Sequence, residues 1–423
     1  MSIFSPDRSY TRRDALTLSS AGLVGALAGC VSEDNPAYDV PHPFAPAGGP
    51  GGGVVPGGDI PHAQDITRDQ ADVEVASADA LRDNVANQDG RVIWIPDGTT
   101  IDLSGGDLYL ENVVIASSRG GESAGGVITT SDQGSNSPVW DGGSNARGLI
   151  EMGDNSRLTG VVVHGPHYDA NDHHTLRAYF GMPDGGRSAR DAWRADRYAR
   201  GISIRGHNVS IDNCEVAYFS VQCIAVGSSS GDPPENTVIA HSYLHNAAMD
   251  SLGYPVDVRT GHPQIHRCYF DAYRHAVNGS GYATAGYYVT ECTFGPWKIS
   301  FAVDMHGVFE NTSGSSDPSA WNYENRAGGT MVVDSCRFLS HRIPDLPFID
   351  RRAGQNSTHA TIRAIPENGF WFVNNVCSHG GPDDAVAQRN IPSGYSTDEN
   401  GYHNVYVSGN NWGVESEIGQ QIP

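Results

Sequence analysis

Lysine is almost missing from this chain. Among its 423 residues only Lys298 is a lysine, and 27 basic residues face 49 acidic ones, for a formal net charge of −22. That balance does not indicate a basic face for nucleic acid, and no nucleic acid partner is expected. Cysteine pairs at metal-binding spacing are missing too. None of the seven cysteines forms a C-x-x-C pair, which disfavours zinc. Long membrane-spanning runs are also lacking. Leu16–Ala28 is apolar but too short and too rich in Gly and Ala to span stably, and no apolar anchor is visible near the C-terminal end.

What is present is a repeat. Val209-Ser-Ile211-Asp-Asn-Cys214-Glu-Val216 is followed by Val238-Ile239-Ala-His-Ser242-Tyr-Leu244. Gln264-Ile265-His-Arg-Cys268-Tyr-Phe270 and Tyr288-Val289-Thr-Glu-Cys292-Thr-Phe294 come next. The period, from Cys214, Ser242, Cys268 and Cys292, runs from 28 to 24 residues. Short alternating strands at this period predict a solenoid whose coils stack about 4.8 Å apart, so that like lies on like. The same register is found at Leu110–Ile115, Leu158–Val163, Val333–Phe338, Phe372–Cys377 and Val407–Trp412, which makes nine coils. In that register Cys214, Cys268, Cys292 and Cys336 share one inward column. Parallel stacked side chains do not converge to the roughly 3.8 Å Cβ separation of a disulfide. They are read as small core residues.

The pattern resembles the right-handed parallel β-helix proteins, the architecture of pectate lyases and related polysaccharide-active enzymes, over roughly residues 73–413. The resemblance implies an all-β solenoid of about nine or more coils. The order helix, strand, Pro96-Asp97-Gly98 turn and Ile101-Asp102-Leu103 strand is similar to the start of such proteins. Ser77 is placed to cap a helix Ala78–Gln88, with Leu81 and Val85 on one face, that covers the open end. The paired Asp-Asp and Gly-His-Gly motifs of polygalacturonase-like members do not occur together. Nor do the clustered Asp and Arg motifs of the best-known pectate lyases.

Residues 1–30 read as an export signal. Thr11-Arg12-Arg13-Asp14-Ala15-Leu16 resembles a twin-arginine start, and Leu27-Ala28-Gly29-Cys30 resembles a lipobox whose Cys30 becomes lipidated. Cleavage near Cys30 without a lipid is the alternative. Residues 31–62 are rich in Pro and Gly and form a flexible tether. The solenoid domain is expected over residues 63–415, with a polar tail at 416–423. This organisation implies an extracellular monomer held on the outer face of the membrane through Cys30. Acidity with so little lysine is haloarchaeal in character; an acidic secreted protein from a GC-rich genome is the other reading.

Three excursions interrupt the coils. Gly165–Arg200 carries Asp169, Asp172, His173 and His174. Glu310–Gly328 carries Trp321, Tyr323 and Arg326. Arg342–Asn368 carries Asp345, Asp350, Arg351, Arg352 and Arg363. Such loops build the binding surface of a solenoid, which makes Trp321, Tyr323 and Arg363 candidate substrate contacts. The densest polar cluster comes from aligning Arg274–Gly281 with Ser300–Gly307. There Asn278 lies by Asp304 and Ser280 by His306, and Cys223–Gly227 is set with Ala225 in the column of Ala276 and Ala302.

Arg274, His275, Asp304 and His306 fit the β-elimination of a uronate. That reaction needs a base for the proton beside the carboxylate, a cation for the resulting charge and an acid for the leaving oxygen. His275 or His306 is the base, Arg274 holds the carboxylate as a fork, and Asp304 orients His306 or binds Ca²⁺, the one cofactor considered. Lys298 is a second base candidate, placed on the same face by period 2. A core-edge role for His275 and a turn-capping role for Asp304 are the structural alternatives. A hydrolase using Asp250 and Asp304, a sugar-chain isomerase and a non-catalytic glycan-binding or adhesion protein are the functional ones.

Overall fold

The computed structural model describes residues 66–413, except 121–122, 135–147, 168–191, 193–194, 229–231, 248, 250–251, 296–297, 299, 309–325, 340–357, 379 and 392–393. The export signal, Cys30, the tether and the tail lie outside the described residues. So do Asp169, Asp172, His173, His174, Asp250, Trp321, Tyr323, Asp345, Asp350, Arg351 and Arg352.

Within the described residues the chain winds through three parallel sheets in turn. The coil 210–226 shows the order: Ser210–Asp212 in the first sheet, Glu215–Ala217 in the second and Gln222–Val226 in the third. The first sheet has 11 strands, the second 10 and the third 9, and every pairing joins one coil to the next. Nine complete coils run from Val92–Trp94 to Val386–Gln388, which makes the fold a parallel β-helix.

The core is a set of aliphatic and aromatic ladders. In the first sheet Ile93, Ile115, Leu158, Ile211, Ile239, Ile265, Val289, Val333 and Phe372 follow one another in register, all fully buried. In the second, Phe270, Phe294 and Phe338 stack with centroids 5.2 and 4.5 Å apart. Each ladder rung removes apolar surface that a single coil could not hide.

The corner between the first two sheets explains the repeat. Its first residue takes a left-handed backbone in successive coils: Gly160, Asn213, His241, Arg267, Glu291, Ser335, Asn374 and Gly409, with φ between 48° and 69°. The next residue is Val161 in the first of these coils and from then on the recurring Cys, Ser or Asn. Its side chain accepts the backbone N–H of the same position one coil earlier, as from Cys214 to Ser242 Oγ at 3.1 Å and from Cys336 to Asn375 Oδ1 at 2.9 Å. The corner thiols are buried and free, and they are hydrogen-bonding rungs as well as core filling.

Two alignments read from the sequence are corrected. Ile115, not Leu110, pairs with Leu158, because the second coil's corner (residues 117–126) is longer than the later two-residue corners. Ala225 pairs with Asp257 and so shares the column of Asn278 and Asp304, not of Ala276. The corner between the second and third sheets changes length from coil to coil, so register does not carry over there. The covering helix is α1 (Ala78–Val85), capped as expected by Ser77 Oγ on the Ala80 N–H, with Leu81 and Val85 in the core. It stops three residues short of Gln88, which takes a left-handed backbone at φ 49°.

Candidate functional site

The outer face of the third sheet carries the polar column Asp257, Asn278, Asp304, Thr361, one residue per coil. Asp304 has no exposed surface. Arg363 forks onto it, Nε to Oδ1 at 3.1 Å and Nη2 to Oδ2 at 2.7 Å. His275 Nε2 and His306 Nε2 lie 3.4 and 3.3 Å from the same Oδ2. Burial opposes ionisation of Asp304, but the groups turned to it, His275, Arg363 and His306, outweigh it and hold the carboxyl well below its ordinary range.

His275 is also fully buried, between the rings of Tyr254 and Phe301, with centroids 5.9 and 6.0 Å away and planes within 10°. Its Nδ1 lies 2.9 Å from the Phe301 carbonyl. A carbonyl only accepts, so Nδ1 carries a hydrogen. Burial, with Arg274 next, pushes this imidazole well below its ordinary value. His275 therefore stands behind Asp304 as a neutral prop and is not the group a substrate meets. His306 has 19% of its side chain exposed and is the open imidazole of the set.

Four sequence-read members, Arg274, His275, Asp304 and His306, are thus brought together. Arg274 donates from Nη1 to the Tyr254 hydroxyl at 2.9 Å. Arg363 joins them in a changed role. Its guanidinium orients Asp304 and is not presented as a substrate contact. A Ca²⁺ ion at Asp304 would have to displace that fork, and no group of three metal-ligating side chains occurs among the described residues. Lys298 is not on this face. It pairs with core residue Tyr273, is 4% exposed, and its Nζ has no hydrogen-bond partner among the described residues. Burial pulls its pKa down to about 7, and its amine senses the Cys377 thiol of the core.

Sequence reading missed Asp257, which accepts from Gln222 Nε2, from Arg259 Nε at 2.8 Å and from Asn278 Nδ2 at 2.6 Å. It also missed a basic line. After Glu111 and Gly153 in the first two coils, the residue that follows each third-sheet strand is, coil by coil, Arg205, Gly227, Arg259, Ser280, His306, Arg363 and Arg389. Their backbone N–H groups continue the ladder onto the preceding coil. Six coil steps separate the ends, about 29 Å. Arg389 lies over the Phe301 ring at 5.2 Å.

A second cluster lies on the outer face of the second sheet. Glu215 there lies 2.9 Å from His164 Nε2 and 3.3 Å from His245 Nε2 and accepts from Arg119 Nη2 at 3.0 Å. Tyr218, at φ 66°, wedges its ring edge-on between the two imidazoles. Burial works against the Glu215 charge, but His164, His245 and Arg119 keep its carboxyl well below the ordinary range. The one guanidinium in this cluster is 3% exposed and tied to Glu215. The cluster locks four coils together and offers no open cation.

No protein-family model matches the chain. No curated protein matches it. Among solved structures, it is similar to an alginate lyase from Paenibacillus at 12% identity and TM-score 0.41, covering 80% of this chain and 98% of that one. It is similar to the tailspike protein of E. coli bacteriophage HK620 at 12% identity and TM-score 0.40, covering 79% and 57%. A pectin methylesterase from Aspergillus niger is similar at 10% identity and TM-score 0.34, covering 85% and 92%. The fold itself rests on the three parallel sheets.

Proposed function

We propose that this protein binds a linear acidic polysaccharide along the outer face of the third sheet and cleaves it by β-elimination. The observation that carries this reading is the line Arg205, Arg259, His306, Arg389, behind which Arg363 is turned onto Asp304. On a chain with a net charge of −22, it sets basic groups at two-coil steps along one edge. A repeating polyanion matches such a line, and the local field draws it there. His306, oriented by Asp304, takes the proton from the carbon beside the uronate carboxylate. Arg274 holds that carboxylate as negative charge spreads into it. The electron pair left on carbon forms a double bond as the glycosidic C–O bond breaks. Tyr254, whose pKa burial raises despite Arg274, stays protonated and supplies a proton to the leaving oxygen. Hydrolysis is less well served, because Asp257 and Asp304 are each tied to a guanidinium.

The export and lipid signals read at Arg12-Arg13 and Cys30 support an activity on the outer face of the cell. Cys30→Ser is expected to move the protein from the membrane fraction to the medium; retention in the membrane would refute the lipid anchor.

The test of function is a panel of pectin, alginate, glycosaminoglycans and neutral glycans, with calcium and with chelator. Ultraviolet absorbance of unsaturated uronate and new reducing ends are both read. Absorbance with new ends is the expected result on an acidic glycan. New ends alone would mean a hydrolase, and binding without either signal would mean a non-catalytic adhesin. The double variant Arg205→Ala/Arg389→Ala is expected to raise KM about tenfold at low salt with kcat little changed, the signature of lost uniform binding.

A further inference from the structure

A different face of the solenoid carries aromatic rings. Tyr288, Val332, Trp371 and Tyr406 follow one another down the outside of the first sheet. At the far end Trp371 and Tyr406 stack, with centroids 5.3 Å apart and planes 17° apart. Trp371 is 7% exposed and Tyr406 is 46% exposed. Tyr406 is therefore an open ring backed by a buried one. Burying such a ring from water is favourable, so an exposed one on a rigid strand is a ready contact surface.

A hollow of about 410 Å³ opens beside it, lined by Asp334, Trp371, Asn374, Asp398, Asn400 and Tyr406 among others. Its polar groups are preset. Asp334 Oδ1 accepts from Asn374 Nδ2 at 2.8 Å. Asp398 Oδ1 accepts the backbone N–H groups of Asn400 and Tyr402 at 2.9 and 2.8 Å. Each carboxylate is thus fixed through Oδ1, while among the described contacts Oδ2 takes no bond. No basic residue lines the hollow.

We propose that this hollow binds a neutral sugar residue of a polysaccharide. One face of a pyranose is a sheet of C–H groups that covers the Tyr406 ring, while hydroxyls at its rim donate to Asp334 and Asp398 and accept from Asn374 and Asn400. The two carboxylates and the lack of any cation repel a uronate, which suits a neutral ring. The size is that of a small-ligand cleft. The hollow lies on the first sheet, away from the basic line on the third, and its role does not depend on cleavage. It adds a grip on neutral glycan to a chain whose other face takes the charged one.

The test titrates the full chain with cellohexaose, maltohexaose, laminarihexaose, mannohexaose and a hexauronate, by calorimetry and by tryptophan fluorescence. One neutral hexaose is expected to bind. Its affinity is expected to fall at least about tenfold in Tyr406→Ala and to stay unchanged in Arg205→Ala/Arg389→Ala. Four outcomes overturn the proposal: no neutral hexaose binds, binding survives Tyr406→Ala, or the hexauronate binds with the same Tyr406 dependence. The fourth is binding that appears only after removal of residues 414–423, which would make the chain's own tail the occupant.

Discussion

His306→Ala is expected to cut turnover of the acidic glycan by about 100- to 10,000-fold, the range a positioned proton acceptor contributes. The loss should fall on kcat and leave KM and the melting temperature nearly unchanged. The reason is where His306 sits. It contributes its open edge and is not in the core, whereas His275, one coil away, has no exposed surface. Asp304 keeps its Arg363 fork in this variant, so the buried carboxylate does not lose its main partner. This contrasts with the arginine variants at the ends of the basic line, where KM moves and kcat stays. Turnover at the normal rate in His306→Ala would remove this imidazole from the mechanism.

Lys298→Met is expected to stabilise the fold, most at pH 7 and below. In the native state burial lowers the Lys298 pKa from 10.5 to about 7. The unfolded chain thus holds a proton on this amine between those values, and the native one does not. Stability contributed by the group then rises as pH climbs from 7 to 10.5. Below pH 7 the native state carries a buried ammonium with no hydrogen-bond partner on Nζ, a penalty of roughly 5 kcal/mol. Methionine fills the same space without a charge. The difference in stability between variant and wild type should be largest near pH 6–7 and shrink toward pH 10. A pH-independent difference, or a destabilised variant at pH 7, would show that the amine is solvated. Taking the difference matters, since the buried tyrosines and thiols also titrate at high pH.

The fold was legible because a solenoid writes its core once per coil. Ile211, Ile239, Ile265 and Val289 were aligned correctly from spacing alone, since the corner after them has a constant length. Register on the third sheet was less legible. Asn278 and Asp304 were matched, but Asp257 was not, because the preceding corner varies. Partnerships across excursions were the hardest to see. Arg363 reaches Asp304 from 59 residues away, and Glu215 reaches His164 from 51. Stacking, which sequence spacing does not measure, makes them neighbours. Lys298 was misplaced for a related reason: period 2 from Ser300 carries it outward, yet it pairs with Tyr273 in the second sheet.

The corner ladder also bears on the order of events in the life of the chain. Burial pushes the Cys214 thiol up to about 12, and those of Cys268 and Cys292 well above their ordinary value, so none presents a thiolate. Unfolded, the same chain would show seven cysteines to any oxidant it met, with 15 ways to pair any six of them. A chain exported already coiled, as proposed from the Arg12-Arg13 motif, would meet the oxidising side with its corner sulfurs sealed. In that proposal the thiol ladder and the export route would solve one problem between them.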